Sequence, residues 1–171
     1  METLKVVKLY PDVKLPEKKN PTDAGFDVYG YSFKKYFQNH DSNFERSFEG
    51  EPLKKFVIDH SIELSSHDRV LIGTGLKVTV GIGYEIQVRP RSGLALNNGL
   101  TVLNTPGTID PEYKDELCII LINLSRKNQI VKLNERIAQL IISPILQVDI
   151  DVVQELPGLD RGGGLGSTGV K

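Results

Sequence analysis

Residues Pro90 to Glu116, PRSGLALNNGLTVLNTPGTIDPEYKDE, hold two short polar constellations joined by alternating apolar residues. The first, Arg91-Ser92-Gly93, sets a guanidinium, a hydroxyl and a backbone without a side chain in succession, which suits phosphate oxygens. The second, Asn104 to Tyr113, gathers an amide, a turn, a carboxylate (Asp110) and an aromatic ring within ten residues. That set suits a base, a water and a sugar. Taken alone, Asp110 ahead of Pro111 also reads as an ordinary turn residue, and Tyr113 as a half-buried strand aromatic. The two constellations together point to a nucleotide site.

The chain around them has 171 residues, 39% hydrophobic and 25% charged, with a formal net charge of −1. This length supports one domain with a sizeable core. No basic field marks a binder of long nucleic acid, whereas a small phosphorylated ligand needs only a few local Arg or Lys. No apolar run reaches the roughly 18 residues of a membrane span, and no charged-then-apolar leader opens the sequence. A soluble, cytoplasmic protein is expected, in the host cytoplasm if the source is a phage or virus. Cys118 is the single cysteine, so an intrachain disulfide is impossible and a buried thiol is expected. His40, His60 and His67 are scattered and build no His/Cys metal site.

The elements that must position these residues read as β. Leu4 to Tyr10 predicts a first strand, followed by a Lys- and Pro-rich loop over 11–21. Phe26, Val28 and Tyr29 predict a second strand, with Gly25 at a bend or close approach; Asp23 and Asp27 read as capping or turn residues. Further short strands are predicted at Lys55–Ile58, Ser61–Leu64, Arg69–Ile72, Leu76–Val80, Tyr84–Val88, Val102-Leu103, Leu117–Asn123, Ile130–Leu133, Ile137–Ile142 and Val148–Val153. Gly73, Gly75, Gly81 and Gly83 punctuate the series. Many short strands at this spacing predict an all-β sandwich or barrel.

Residues 31–56 depart from that pattern. Five of the six phenylalanines lie there, and Phe33, Tyr36 and Phe37, like Phe44 and Phe48, stand at helical spacing. An inserted excursion is expected, with two short helices around a turn at His40-Asp41-Ser42-Asn43. Its aromatics either cover local core or present a surface to a protein partner. At the other end, residues 156–171 lack a core-forming pattern. Gly164-Leu165-Gly166-Ser167-Thr168-Gly169 matches GxGxxG, but no helix or distant acid can follow it, and no Lys precedes Ser167. Such a strip reads as a disordered end or as phosphate-wrapping backbone.

Five segments, in order, resemble the motifs of the trimeric dUTPases: Asp23-Ala24-Gly25-Phe26-Asp27, Pro90 to Leu94, Gly107 to Tyr113 with the strand that follows, Arg136-Ile137-Ala138-Gln139-Leu140, and Arg161 to Gly169. The resemblance spans nearly the whole chain except about 31–56. It implies a jelly-roll-type β-barrel over residues 1–155 and a flexible C-terminal arm over 156–171. It also implies a homotrimer in which each site draws on three chains and the arm is exchanged between subunits. The implied reaction is Mg²⁺-assisted hydrolysis of dUTP to dUMP and pyrophosphate, which limits uracil in DNA and supplies dUMP for dTTP synthesis.

By the same resemblance, Asp110 positions and deprotonates the attacking water. Tyr113 packs under the deoxyribose, Asn104 and the backbone near Cys118 read uracil, and Gly107, Thr108 and Ile109 contact the substrate. Arg91, Ser92, Gly93 and Gln139 hold phosphates. Arg161, Leu165, Gly166, Ser167 and Thr168 close over the nucleotide. Asp27 is implied to touch Mg²⁺ through water or to pair with Arg91.

Three departures stand out. Leu165 occupies the place where the family's arm usually carries Phe, Asp115 stands where Gly is common, and the 31–56 excursion invites an accessory role such as docking a regulatory protein. Two rivals are a dUTPase-like regulatory protein without catalysis and a dCTP deaminase. Against the second, Ile120 stands where a deaminase needs its glutamate, and Gly93 where deaminases commonly have a second serine.

Overall fold

A computed structural model describes residues 3–39, 45–159 and 162. Its strands are β1 (Lys5–Lys8), β2 (Gly25–Tyr29), β3 (Ser32–Asn39), β4 (Glu45–Glu49), β5 (Val57–Ile58), β6 (Ser61–Leu64), β7 (Arg69–Gly73), β8 (Leu76–Thr79), β9 (Tyr84–Arg89), β10 (Leu100–Val102), β11 (Gly107–Ile109), β12 (Cys118–Asn123), β13 (Gln129–Lys132) and β14 (Arg136–Pro144). Two short helices, α1 (Glu51–Lys54) and α2 (Ser92–Asn98), interrupt them. The strands form sheets ordered β10-β12-β7-β3-β4, β11-β9-β14-β2, β13-β6-β5 and β1-β8. Every pairing is antiparallel, and neighbours in space are mostly not neighbours in sequence, the crossing pattern of a jelly roll.

Alternation builds the core. Ile62 and Leu64 of β6, Val70 and Ile72 of β7, Leu76 and Val78 of β8, and Ile86 and Val88 of β9 turn inward at every second position and are buried. Each such side chain contributes about 2 kcal/mol of hydrophobic transfer. β12 and β14 carry longer apolar runs. Leu121, Ile122 and Asn123 are buried in succession, as are Ile137 and Ala138, so both faces of these strands are covered there.

The 31–56 stretch differs from the two helices expected of it. β3 pairs along β7 and β4 pairs along β3, so the stretch is a hairpin that widens the central sheet, followed by the one-turn α1. Sheet pairing with the apolar β7 overrides the local helical spacing of Phe33, Tyr36 and Phe37. Tyr36 is buried against Phe48 and Phe56, with ring centroids 6.1 and 5.0 Å away. Its hydroxyl donates to the buried Asp68, which also accepts from Asn39 N at 2.8 Å and Ser65 N at 2.9 Å. Tyr36, Phe48 and Phe56 therefore serve local core. The turn expected at His40–Asn43 lies outside the described residues.

Two other differences matter. Residues 92–98 are helical although no amphipathic period marks them; α2 starts beside Arg91 and stops at Gly99, whose φ of 65° suits glycine. Residues 148–153, expected as a strand, join no strand among the described residues. Beyond Ile145, whose N–H donates to Gly83 O at 2.9 Å, Leu146, Val148, Ile150 and Val152 are 87, 74, 94 and 91% exposed. Among the described residues no helix is long and apolar enough to cross a membrane.

Candidate functional site

One cluster grows from a row across three strands. Gln139 of β14 stands opposite Asp27 of β2 on one side and Arg89 of β9 on the other. Asp27 is fixed further by a two-way backbone bridge to Glu17, which folds the 11–21 loop back onto β2. Just past β9, Pro90 turns the chain so that its carbonyl accepts from Gln139 Nε2 at 3.0 Å. Gly25 leaves the room this needs, since a Cβ there would collide with Gln139 Oε1.

Arg91 Nε then reaches Asp27 Oδ1 at 2.9 Å, and Arg136 Nη1 reaches Asp27 Oδ2 at 3.3 Å. Arg91 Nη1 also meets the Arg136 carbonyl at 3.5 Å. One carboxylate thus holds two guanidiniums, and the cluster keeps an excess positive charge beside exposed Ser92 and Gly93. Those two open α2, where first-turn N–H groups have no acceptor within the helix. The arrangement can bind an anion. Arg136 is the residue the sequence reading passed over; its position at the head of the fourth motif was the available signal.

The second constellation lies elsewhere. β11 runs antiparallel to β9 with Gly107 opposite Val88 and Ile109 opposite Ile86, which leaves Asp110 level with Glu85. Arg91 lies beyond the other end of β9. Four residue steps along the strand, Glu85 to Arg89, separate the Asp110 level from the row of Gln139, about 13 Å at ~3.3 Å per residue, and the chain turns only after that at Pro90. Asp110 and Arg91 of one chain therefore stand at opposite ends of β9.

Asp110, Pro111, Glu112 and Tyr113 form a turn in which Tyr113 N–H donates to Asp110 O at 3.1 Å, with Pro111 at the position such turns favour. The Asp110 side chain is exposed. It borders an open concavity of ≈ 540 Å³ shared with Ile82, Gly83, Tyr113, Ile145 and Gln147. Thr79 Oγ1 pins the Pro111 carbonyl from β8. The Tyr113 hydroxyl donates to Glu116 O at 3.0 Å, and the residue stays 36% exposed. Burial, then the neighbouring Cys118, Asp115 and Glu116, push its phenol pKa up.

Asn104 lays its amide over Gly107, where a Cβ would crowd Nδ2 at 3.1 Å; Thr108 is exposed and Ile109 half-buried. Ile120 O accepts from Leu103 N at 2.9 Å across the β10 edge. By the two-residue alternation of an antiparallel ladder, Cys118 turns its N–H and C=O to the same side, past the end of β10 toward the 103–106 loop. Its half-buried thiol is pushed up by burial and by Glu116, against the pull of Lys34.

Asp27 has both oxygens committed to guanidiniums, and no cluster of three His, Cys, Asp or Glu exists among the described residues. Such a donor set fits Mg²⁺ carried on phosphate oxygens and water, with Asp27 contacting it at most through water, rather than a protein cage. Arg161, Leu165, Gly166, Ser167 and Thr168 lie outside the described residues.

Comparison with known proteins gives the family and the fold. The family model named dUTPase matches residues 56–169. The sequence is 53% identical over 170 residues to a deoxyuridine 5'-triphosphate nucleotidohydrolase of Nautilia profundicola, covering 97% of this chain and 98% of that protein. It is 49% identical over 120 residues to the one from Hydrogenobaculum, covering 70 and 83%. The fold is similar to a Staphylococcus bacteriophage 80alpha dUTPase solved with dUpNHpp (TM-score 0.71, 22% identity, 98% of this chain and 99% of that one). It is also similar to a dUTPase of the S. aureus phage phi11 that coordinates a structural Mg(II) ion (TM-score 0.68, 20% identity, 91 and 99%). This chain belongs to the dUTPase family.

Proposed function

We propose that the protein hydrolyses dUTP to dUMP and pyrophosphate in sites assembled from neighbouring copies of the chain. The observation that carries this reading is the placement of Asp110. Its exposed carboxylate stands beside an aromatic face at the rim of a concavity, about 13 Å along β9 from the row of the chain's own anion cluster. Asp110 orients a water, takes its proton, and leaves the hydroxide oxygen to bond the α-phosphorus as the bond to the pyrophosphate oxygen breaks. Tyr113 offers its ring to the deoxyribose and excludes a 2′-hydroxyl. Asn104 and the main chain at 107–109 and 118 meet the uracil edge; a thymine methyl clashes there, and cytosine leaves buried groups unpaired.

Arg91, Ser92, Gly93 and Gln139 of a neighbouring copy hold the phosphates, with Arg136 sharing their charge. Arg161, Ser167 and Thr168 of an arm close over them, while Leu165 and Gly166 cover the base. Mg²⁺ on the triphosphate supplies charge neutralisation. The exposed alternation Leu146-Val148-Ile150-Val152 supports the oligomer, because it has the pattern of a strand without a partner strand among the described residues. A trimer is the assembly that the family resemblance implies.

The test is pyrophosphate release from dUTP with dTTP, dCTP and UTP as controls, followed by subunit mixing. Asp110→Asn chains and Arg91→Ala chains are each expected to be nearly inactive. Refolded together, they regain activity, because some mixed sites receive Asp110 and Arg91 from different chains. No recovery in a confirmed mixed oligomer means that one chain supplies both groups. Ammonia from dCTP would instead revive the deaminase.

A further inference from the structure

The base-and-sugar segment is tied to the hairpin that precedes the matched family region. Lys34 on β3 extends its ammonium to Glu116 Oε2 at 2.8 Å, with side chains 34 and 16% exposed. The other carboxylate oxygen, Oε1, accepts from Gly75 N at 2.8 Å. The Glu116 carbonyl holds the Tyr113 hydroxyl. The next residue is locked as well: Leu117 N donates to Leu76 O at 2.8 Å, while Leu117 O accepts from Thr74 N at 3.0 Å and Thr74 Oγ1 at 2.8 Å. Gly73 makes the crossing possible, because a Cβ there would collide with both Glu116 Oε1 and Lys34 Cε. Tyr113 thus hangs from one residue, and that residue's side chain is held by the β7–β8 turn on one oxygen and by β3 on the other.

We propose that Lys34 is a positioning residue for the reaction: through Glu116 it sets the Tyr113 ring, and so couples the 32–49 hairpin to the sugar end of the site. This rests on the reading of Tyr113 as the sugar platform. Lys34 touches no reacting atom. Its loss lets Glu116 swing and frees the ring to back away, which weakens substrate holding more than the chemical step. A ring that backs away also makes room for a ribose hydroxyl. The size of the effect is bounded by what one half-buried ion pair contributes.

The experiment compares full-length wild type, Lys34→Met and Lys34→Arg. It measures KM and kcat with dUTP, the preference for dUTP over UTP, and hydrogen–deuterium exchange across 110–118. Lys34→Met is expected to raise KM roughly fivefold with little change in kcat, to narrow the preference by a similar factor, and to speed exchange over 113–118. Lys34→Arg restores all three. A folded Lys34→Met protein with wild-type preference, or with wild-type exchange over 113–118, overturns the proposal. Should Lys34→Met fail to fold, Tyr113→Phe decides: deleting the hydroxyl held by Glu116 must narrow the preference likewise, and an unchanged preference overturns the proposal. Wild-type protein without pyrophosphate release refutes the functional reading alone, and the exchange arm then still decides on the clamp.

Discussion

The two ends of β9 are built in opposite ways. Beyond its C-terminal end, Asp27, Arg91, Arg136 and Gln139 are bound to one another across β2, β14 and the turn at Pro90. At its N-terminal end, Asp110 and Tyr113 stand on a turn, anchored by main-chain contacts and leaving a carboxylate and an aromatic residue exposed. The difference matches the proposed tasks. Guanidiniums that must meet a multiply charged anion are best fixed in advance, and a shared carboxylate keeps their mutual repulsion in check. A carboxylate that must take a proton from water works only if no cation in its own chain claims it.

Substitutions at the two ends should therefore differ in kind. Asp110→Asn is expected to lower kcat about 100- to 10,000-fold, the range for losing a general base, with an unchanged melting temperature. Pyrophosphate release at full rate would remove Asp110 from the mechanism, and a shift of several degrees would erase the contrast between the ends. Asp27→Asn leaves two guanidiniums facing each other. At these partly exposed positions it should cost about 1–2 kcal/mol, seen as a fall of roughly 3–6 °C for a chain of this size, together with a raised KM. An Asp27→Asn protein as stable as wild type would mean the cluster is not the rigid end.

A control touching neither end is Tyr36→Phe, expected to cost about 1 kcal/mol at neutral pH. Burial first, and donation to Asp68 second, raise the Tyr36 phenol above its ordinary value of 10.0. The unfolded chain therefore ionises this group first. Its stabilisation is complete below pH 10 and is lost as pH climbs toward the folded value. Denaturant titrations should show a shallower loss above pH 10 in the Phe variant, and parallel curves would refute the assignment. The smallest effect is expected from Leu165→Phe. A ring in place of leucine adds part of the ~1–3 kcal/mol of base stacking and lowers KM a few-fold; an unchanged KM would take residue 165 off the base.

The sequence made most strands legible because their inward residues alternate and glycines mark the turns, as in β6 through β9. It hid the 32–49 hairpin, whose aromatics carry a helical spacing that only pairing with β7 overrules. It hid α2 because Ser92 to Asn98 buries no residue. The members of the anion cluster were each visible as motif residues. Their assembly was not, since Asp27 lies 64 residues from Arg91 and 109 from Arg136. The Lys34–Glu116 tie was equally silent, being a contact between an excursion and a motif with no shared spacing.

The stretch from Leu146 to Val152 has a consequence for the life of the chain in a cell. Four apolar side chains alternating along a backbone that pairs with no described strand are a template for any other strand edge they meet. In the proposed assembly, a copy carries this liability from the moment it folds until a sister copy covers it. Cellular abundance then protects as well as supplies: at low concentration, mass action exposes the segment, and dilution should favour misassembly before it favours any quiet inactive monomer.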